Sequence, residues 1–286
     1  MRSRMLAVIW AVVLGLTAIL PRESLAQSPR QFPGWGIEYQ LPPTWLVAQM
    51  PGRMHVLSSQ SEAGSIFVVP GLYSEMAEVE KDLDAFATMA NLVGEPVEEP
   101  TEFSIDGYRA VTTTYDGQTR SLEPVRARMV AVFTPHGTGI VILGLANPEQ
   151  FPTLSERVQE IAISMKARPP TIDGQTIAAL DGVWANYRSG RPPAADAPDE
   201  GTRGVDDLFE FDGVGAYAWK SSIYLSAEAR GRTDEVPASS RDVDSGTYSV
   251  IAGKLVLKGR FGQRVVPMEL EGARLRAGQA TYFRKP

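Results

Sequence analysis

Ser65-Ile66-Phe67-Val68-Val69, followed by Ser74-Glu75-Met76-Ala77-Glu78-Val79-Glu80-Lys81-Asp82-Leu83-Asp84-Ala85-Phe86-Ala87-Thr88-Met89-Ala90-Asn91-Leu92-Val93-Gly94, is the stretch on which the fold turns. The first run is β-rich without interruption and reads as a strand. The second changes period. Met76, Val79, Leu83, Phe86, Ala87, Ala90 and Val93 recur at three- and four-residue steps, which places them on one face of a helix. Ser74 offers an N-cap oxygen, and Gly94 stands where a left-handed C-cap is needed. Glu75, Glu78, Glu80, Lys81, Asp82 and Asp84 fall on the other side, a solvated face whose early carboxylates suit the positive end of the helix dipole.

Working outward, Ile37, Tyr39 and Leu41 alternate with polar or small residues until Pro42-Pro43-Thr44-Trp45 ends the run in a turn. Arg53 to Ser59 is a further β-rich run. Beyond the helix, Thr101 to Ile105 and Tyr108 to Tyr115 flank Asp106-Gly107, a tight hairpin turn. Val125 to Thr134 and Gly139 to Ala146 continue the strands. Leu154, Val158, Ile161, Ala162 and Met165 then make a second amphipathic helix, begun after Asn147-Pro148. Strands, a helix, a run of antiparallel strands and a helix predict an α+β fold, an antiparallel sheet flanked by helices, rather than a doubly wound parallel one.

These residues carry a resemblance. Tyr39-Gln40-Leu41-Pro42-Pro43-Thr44-Trp45, the capped helix, the hairpin Ile105-Asp106-Gly107-Tyr108-Arg109-Ala110 and the closing helix ending Ile163-Ser164 resemble the PsbP-like α/β/α sandwich family over about residues 33–168. Members of that family are mostly non-enzymatic: an extrinsic photosystem subunit, a small nuclear GTPase-binding factor, and many bacterial envelope proteins. The resemblance implies a sandwich fold and a partner-binding role. It implies no catalytic residues, because the family shares no catalytic motif.

The second half reads as strand and turn throughout. Leu180-Asp181-Gly182-Val183-Trp184 precedes a polar, Pro-rich loop from Arg191 to Glu200. Leu208 to Gly213, Ala216 to Lys220 and Ile223-Tyr224-Leu225 lead to a second polar loop, Gly231 to Asp244. Gly246 to Val250, Leu255-Val256-Leu257, Val265 to Leu270 and Thr281-Tyr282-Phe283 follow, which predicts six or seven short antiparallel strands in a small barrel or half-barrel. The Leu-x-Gly-x-Trp start, the Phe-x-x-Asp-Gly hairpin and the Gly-Thr-Tyr strand are similar to lipocalin-like β-domains, although the loop from Arg191 to Glu200 has no counterpart there.

Charge divides the chain at the same level. Residues 27–175 carry 10 basic and 18 acidic side chains, and residues 176–286 carry 15 of each. Ala167-Arg168-Pro169-Pro170-Thr171-Ile172-Asp173-Gly174 lies between, with two prolines that block a helix. We therefore expect a signal peptide over 1–26, the sandwich domain over 27–168, a linker over 169–175 and the β-domain over 176–286. Arg2 and Arg4, the apolar run Met5 to Leu20 and the small-x-small site Ser24-Leu25-Ala26 have the three regions of a secretory signal. The apolar run is shorter than the roughly 20 residues a permanent span needs. Cleavage after Ala26 would release a periplasmic or secreted protein, and the alternative is an uncleaved anchor.

Composition removes several chemistries. With no Cys and two His, thiolate nucleophiles, disulfides, iron–sulfur ligation and three-imidazole metal sites are excluded. A formal charge of −6 gives no general attraction to nucleic acid. No Gly-x-Ser-x-Gly elbow, His-Glu-x-x-His helix or phosphate-binding loop occurs, and neither a metal nor a cofactor is expected. His55 reads as a surface or strand-edge residue and His136 as one at a Gly-rich hairpin tip. Asp242-Val243-Asp244-Ser245-Gly246 begins like a calcium loop, but its twelfth position is Gly253 rather than Glu, so it reads as a turn, as do Asp206-Asp207 and Asp212.

Three functional readings remain. The first is a non-catalytic exported protein that binds a protein partner or assists assembly in the cell envelope. The second is a carrier of a small apolar ligand inside the β-domain, lined by Trp184, Phe211, Tyr217, Trp219, Tyr248 and Tyr282, which otherwise form a packed core. The third is a hydrolase pairing a Ser with His136.

Overall fold

The computed structural model describes residues 29–50, 54–89, 96–118, 123–187, 205–221 and 241–286. The signal segment, Gly94 with the last helical positions Ala90 and Val93, the loop Arg191 to Glu200 and the expected strand Ile223-Tyr224-Leu225 lie outside them. The chain divides into two compact units at Pro170/Thr171, each described by itself.

In the first unit the alternating apolar runs form β3 (Trp45–Met50), β4 (Met54–Ser59), β5 (Ser65–Leu72), β6 (Thr101–Ile105), β7 (Tyr108–Gln118), β8 (Pro124–Phe133) and β9 (Thr138–Ala146). They make a seven-stranded antiparallel sheet in the order β3-β4-β5-β9-β8-β7-β6. A second, three-stranded sheet joins β1 (Arg30–Phe32), β2 (Ile37–Tyr39) and β10 (Lys166–Ala167). Helix α1 (Met76–Met89) brings Met76, Val79 and Leu83 onto Phe67, Met129, Ala131, Val141 and Leu143, alternate residues on one face of the large sheet. Ile66, Val68, Val130, Val132, Ile140 and Ile142 alternate with these and are also buried. Helix α2 (Phe151–Ser164) covers that second face with Leu154, Val158, Ile161 and Ala162. A strand buried on both faces reads as one apolar run, which is why Thr138–Ala146 shows no polar alternation. Gly144 permits the close approach, since a Cβ there would lie 2.5 Å from a methyl of Val158.

Local chemistry fixes the ends. Asn147 accepts the Gln150 amide ahead of α2 at 2.9 Å, and Pro152 sits in its first turn. The β6–β7 hairpin turns through Asp106 and Gly107 with φ of 48° and 83°, the left-handed pair that a type I′ turn requires. The expected opening strand is shorter than predicted, ending at Tyr39, and β1, β3 and β10 were not visible as strands. β1 and β10 are only three and two residues long, and Thr44 (φ 68°) restarts the chain as β3 directly after the proline turn.

The second unit begins with a short helix, α3 (Gly174–Ala179), where only strand and turn were expected. Asp173 caps it, accepting the Thr176 amide at 3.0 Å and the Thr176 hydroxyl at 2.7 Å. Strands β11 (Gly182–Tyr187), β12 (Val205–Phe211), β13 (Ala216–Ser221), β14 (Arg241–Ile251), β15 (Lys254–Gly259), β16 (Gly262–Glu271), β17 (Arg274–Ala277) and β18 (Ala280–Arg284) close into an eight-stranded antiparallel barrel. β18 pairs back onto β11, with Ala185 opposite Phe283. The count exceeds the expected six or seven because Arg274-Leu275-Arg276-Ala277 looks like a charged turn, whereas its arginines face out and Leu275 and Ala277 face in. Asp207 and Asp244, read as turn residues, lie within β12 and β14. Asp212 does hold a turn, its carboxylate accepting the amides of Val214, Gly215 and Ala216.

Candidate functional site

Strand alternation turns Trp184, Phe211, Tyr217, Trp219, Tyr248 and Tyr282 into the barrel, where they share one cluster. All are buried except Trp219, which is half-buried. Phe209 stands at their centre. Its ring stacks on Phe211 at 5.3 Å, meets Tyr282 edge-on at 5.2 Å, and lies 6.3 Å from both Tyr217 and Trp219. Phe211 in turn meets Tyr248 at 4.8 Å. One end is stoppered by α3, because the Tyr248 hydroxyl donates to the Ile177 carbonyl at 3.1 Å and the Trp184 indole donates to the Leu180 carbonyl at 2.6 Å.

Towards the other end the lining becomes polar. Asp244, 1% exposed, accepts the Tyr217 hydroxyl at 2.8 Å, the Arg260 amide at 3.0 Å and the Arg264 guanidinium at 3.3 Å. Gly259 makes room for this array, as a side chain there would strike both Asp244 and the Tyr217 hydroxyl. Arg264 lies 5.1 Å from the Trp219 ring centre, a cation over an indole face. Burial works against the Asp244 carboxylate, but its hydrogen bonds and Arg264 outweigh it and hold its pKa below the ordinary value. Burial pushes Tyr248 up to about 12, and Tyr217 and Tyr282 upward as well. Each of these shifts carries a pKa further from 7.

A second feature belongs to the first unit. A groove of about 610 Å³ runs between β6 and the last turn of α2, lined by Gln40, Phe103, Ile105, Gln159, Ile163 and Lys166 among others. Ile163 is 59% exposed although apolar, and β6 is the end strand of the large sheet.

The comparisons with known proteins reach the fold only. No family model matches the sequence, and no curated protein does. The chain is similar to a PsbP. The solution structure of cyanobacterial PsbP (CyanoP) from Synechocystis sp. PCC 6803 covers 54% of this chain and 99% of its own, with 13% identity and a TM-score of 0.39. PA94, a protein of unknown function from Pseudomonas aeruginosa, covers 52% of this chain and 90% of its own, with 16% identity and a TM-score of 0.32.

The two histidines differ in setting. His136 is exposed on the β8–β9 turn, as expected. His55 is buried rather than at a surface, because β4 is an inner strand and β1 covers it. Phe32 stacks on its ring at 4.0 Å, and the Tyr39 hydroxyl lies 2.9 Å from Nδ1. Burial, reinforced by the charge of Arg30, pushes its pKa down to about 4, so the ring is neutral at pH 7. The folded value lies below the unfolded one, near 6.5, so this contribution to stability is complete above pH 6.5 and is lost as pH falls towards 4. We expect the first unit to lose up to about 3 kcal/mol over that window. Urea unfolding at several pH values checks this, and His55→Gln should flatten the slope; an unchanged slope would contradict the assignment.

Asp244 and Arg264 are the site residues that sequence reasoning missed; Phe209 was legible as one more barrel aromatic. Asp244 was hidden by its position in an Asp-x-Asp-x-Gly string that reads as a turn, and nothing in the sequence links it to Tyr217 or Arg264.

Proposed function

We propose that this is an exported, non-catalytic binding protein that engages a protein partner through its first unit. The groove beside end strand β6, with Ile163 presented to solvent at its wall, carries the reading, since exposed apolar surface next to a polar rim is the mark of a recognition site. The chemistry agrees with it. His55 is sealed under Phe32 and bound to Tyr39, and Asp244 is committed to three donors, so neither is poised over substrate space. Export rests on the three-part segment at residues 1–26, and no helix among the described residues is long and apolar enough to cross a membrane.

A photo-crosslinking residue at Ile163 of the mature chain, used in its own envelope fraction, tests the reading. One stoichiometric adduct is expected at Ile163 and none at exposed Val214 in the second unit. Equal adducts at both positions, or none, would contradict it.

A second reading, uptake of a small apolar ligand in the barrel by Trp184, Phe211, Tyr217, Trp219, Tyr248 and Tyr282, is supported by closure at eight strands, the size at which an interior can hold one small molecule. Native mass spectrometry of the protein from its own source would then reveal a bound species that Trp219→Ala releases.

A further inference from the structure

β6 pairs with β7 alone, and among the described residues no strand takes up its other edge. The type I′ turn fixes which backbone groups remain. In a two-residue hairpin the closing pair, here Ile105 and Tyr108, exchanges both hydrogen bonds, and the pattern alternates from there. Ile105, Phe103 and Thr101 therefore spend their N–H and C=O groups on β7, whereas Glu102 and Ser104 aim theirs away from the sheet. Two donors and two acceptors at strand spacing form a template for one more strand.

The groove lies beside this edge, with Phe103 and Ile105 on one wall and Ile163 and Gln159 of α2 on the other. A free sheet edge with a helix-walled groove next to it is the arrangement in which extended peptides bind. The main chain supplies the hydrogen bonds, and alternate side chains enter the groove. Lysine is one of the side chains that guard sheet edges. Residues 96–106 instead hold Glu98, Glu99, Glu102 and Asp106 and no Lys or Arg. Arg109 and Arg128 answer Glu102 at 3.1 Å and Glu98 at 4.0 Å, and Lys166 lines the groove, so the four carboxylates still exceed the three cations by one.

We propose that β6 takes up an extended, basic segment of a protein partner as an added antiparallel or parallel strand, its apolar side chains resting on Phe103 and Ile163. This rests on the reading of the first unit as a partner-binding surface, and it names the mode and the chemistry.

The probe is a short peptide alternating Val with Lys and Arg. It is compared with the same peptide N-methylated at alternate amides and with a version carrying Glu for Lys and Arg. On the mature full-length protein, the basic peptide should slow amide exchange at Glu102 and Ser104, and both altered peptides should fail to do so. Ser104→Pro removes an outward N–H while leaving the β7 ladder intact, and should weaken binding about 10-fold, or about 1.4 kcal/mol. Ile163→Asn changes only an exposed side chain and guards against a folding defect in the first variant; it should weaken binding as well. No binding of the basic peptide, equal binding of the methylated one, or undiminished binding by both variants would overturn the proposal. If the envelope adduct at Ile163 forms in wild type and equally in Ser104→Pro, strand addition fails while partner binding stands. Absence of the adduct in wild type removes the underlying reading itself.

Discussion

Trp184→Ala is expected to cost the barrel unit about 4 kcal/mol, within the range found when a buried Trp or Phe is cut to Ala. The indole is fully buried, so truncation leaves a cavity among Phe209, Phe211 and Tyr282 that the closed barrel cannot collapse to fill. It also removes the donor that holds the Leu180 carbonyl at 2.6 Å, leaving the Tyr248 hydroxyl and the Arg284 guanidinium to hold α3 through the Ile177 and Ala179 carbonyls. The Arg284 guanidinium, 4.7 Å from the ring centre, loses its aromatic partner. Urea unfolding monitored by near-ultraviolet dichroism checks this. A loss below about 1 kcal/mol would mean that the aromatic cluster is not the packed core described.

Asp244→Ala should be the next most damaging change, at about 3 kcal/mol. The carboxylate is buried with three donors aimed at it, and Ala would leave the Tyr217 hydroxyl and the Arg260 amide without their acceptor. Arg264 is more exposed and can turn to water, so the ion pair contributes less than the two hydrogen bonds. Tyr217→Phe, which removes one donor and keeps the ring, should cost about 1 kcal/mol. The pH dependence has a definite sign. The folded pKa of Asp244 lies below the ordinary value of 3.8, so its contribution is present above that pH and is lost as pH falls beneath it. Equal midpoints for wild type and Asp244→Ala in denaturant at neutral pH would refute the role assigned to this array.

What could be read from the residues follows a physical division. Helices α1 and α2 declared themselves because each buries a single stripe, and the β6–β7 hairpin did so because Asp106-Gly107 is chemistry specific to its turn. The strands from Pro124 to Ala146 were legible as long apolar runs. β10 was not, because two residues carry no period, and their pairing with β2 is a tertiary event between distant segments. α3 escaped because a helix of six residues is set by its Asp173 cap and by docking onto Tyr248 rather than by amphipathic spacing. In the barrel, inward aromatics were legible, but the partners of Asp244 were not. Tyr217 is 27 residues away and Arg264 is 20, and only closure of the strands brings them to one carboxylate. The groove at β6 had no sequence signal, since it arises where an edge strand and a helix end happen to pass.

Closure of the barrel also dictates an order of events. Seven of its eight ladders join neighbouring strands in sequence, several through turns of two to four residues, and can form by local zipping. The eighth joins β11 to β18, with Asn186 bonded to the Thr281 carbonyl across 95 residues. Bringing such distant segments together carries the largest loop entropy in the unit and is rewarded only once the intervening strands stand in register. β11 must therefore wait, with one flank unpaired, until β18 is in place. Until that moment an incomplete second unit exposes two open flanks, the state most prone to pairing with another copy of itself.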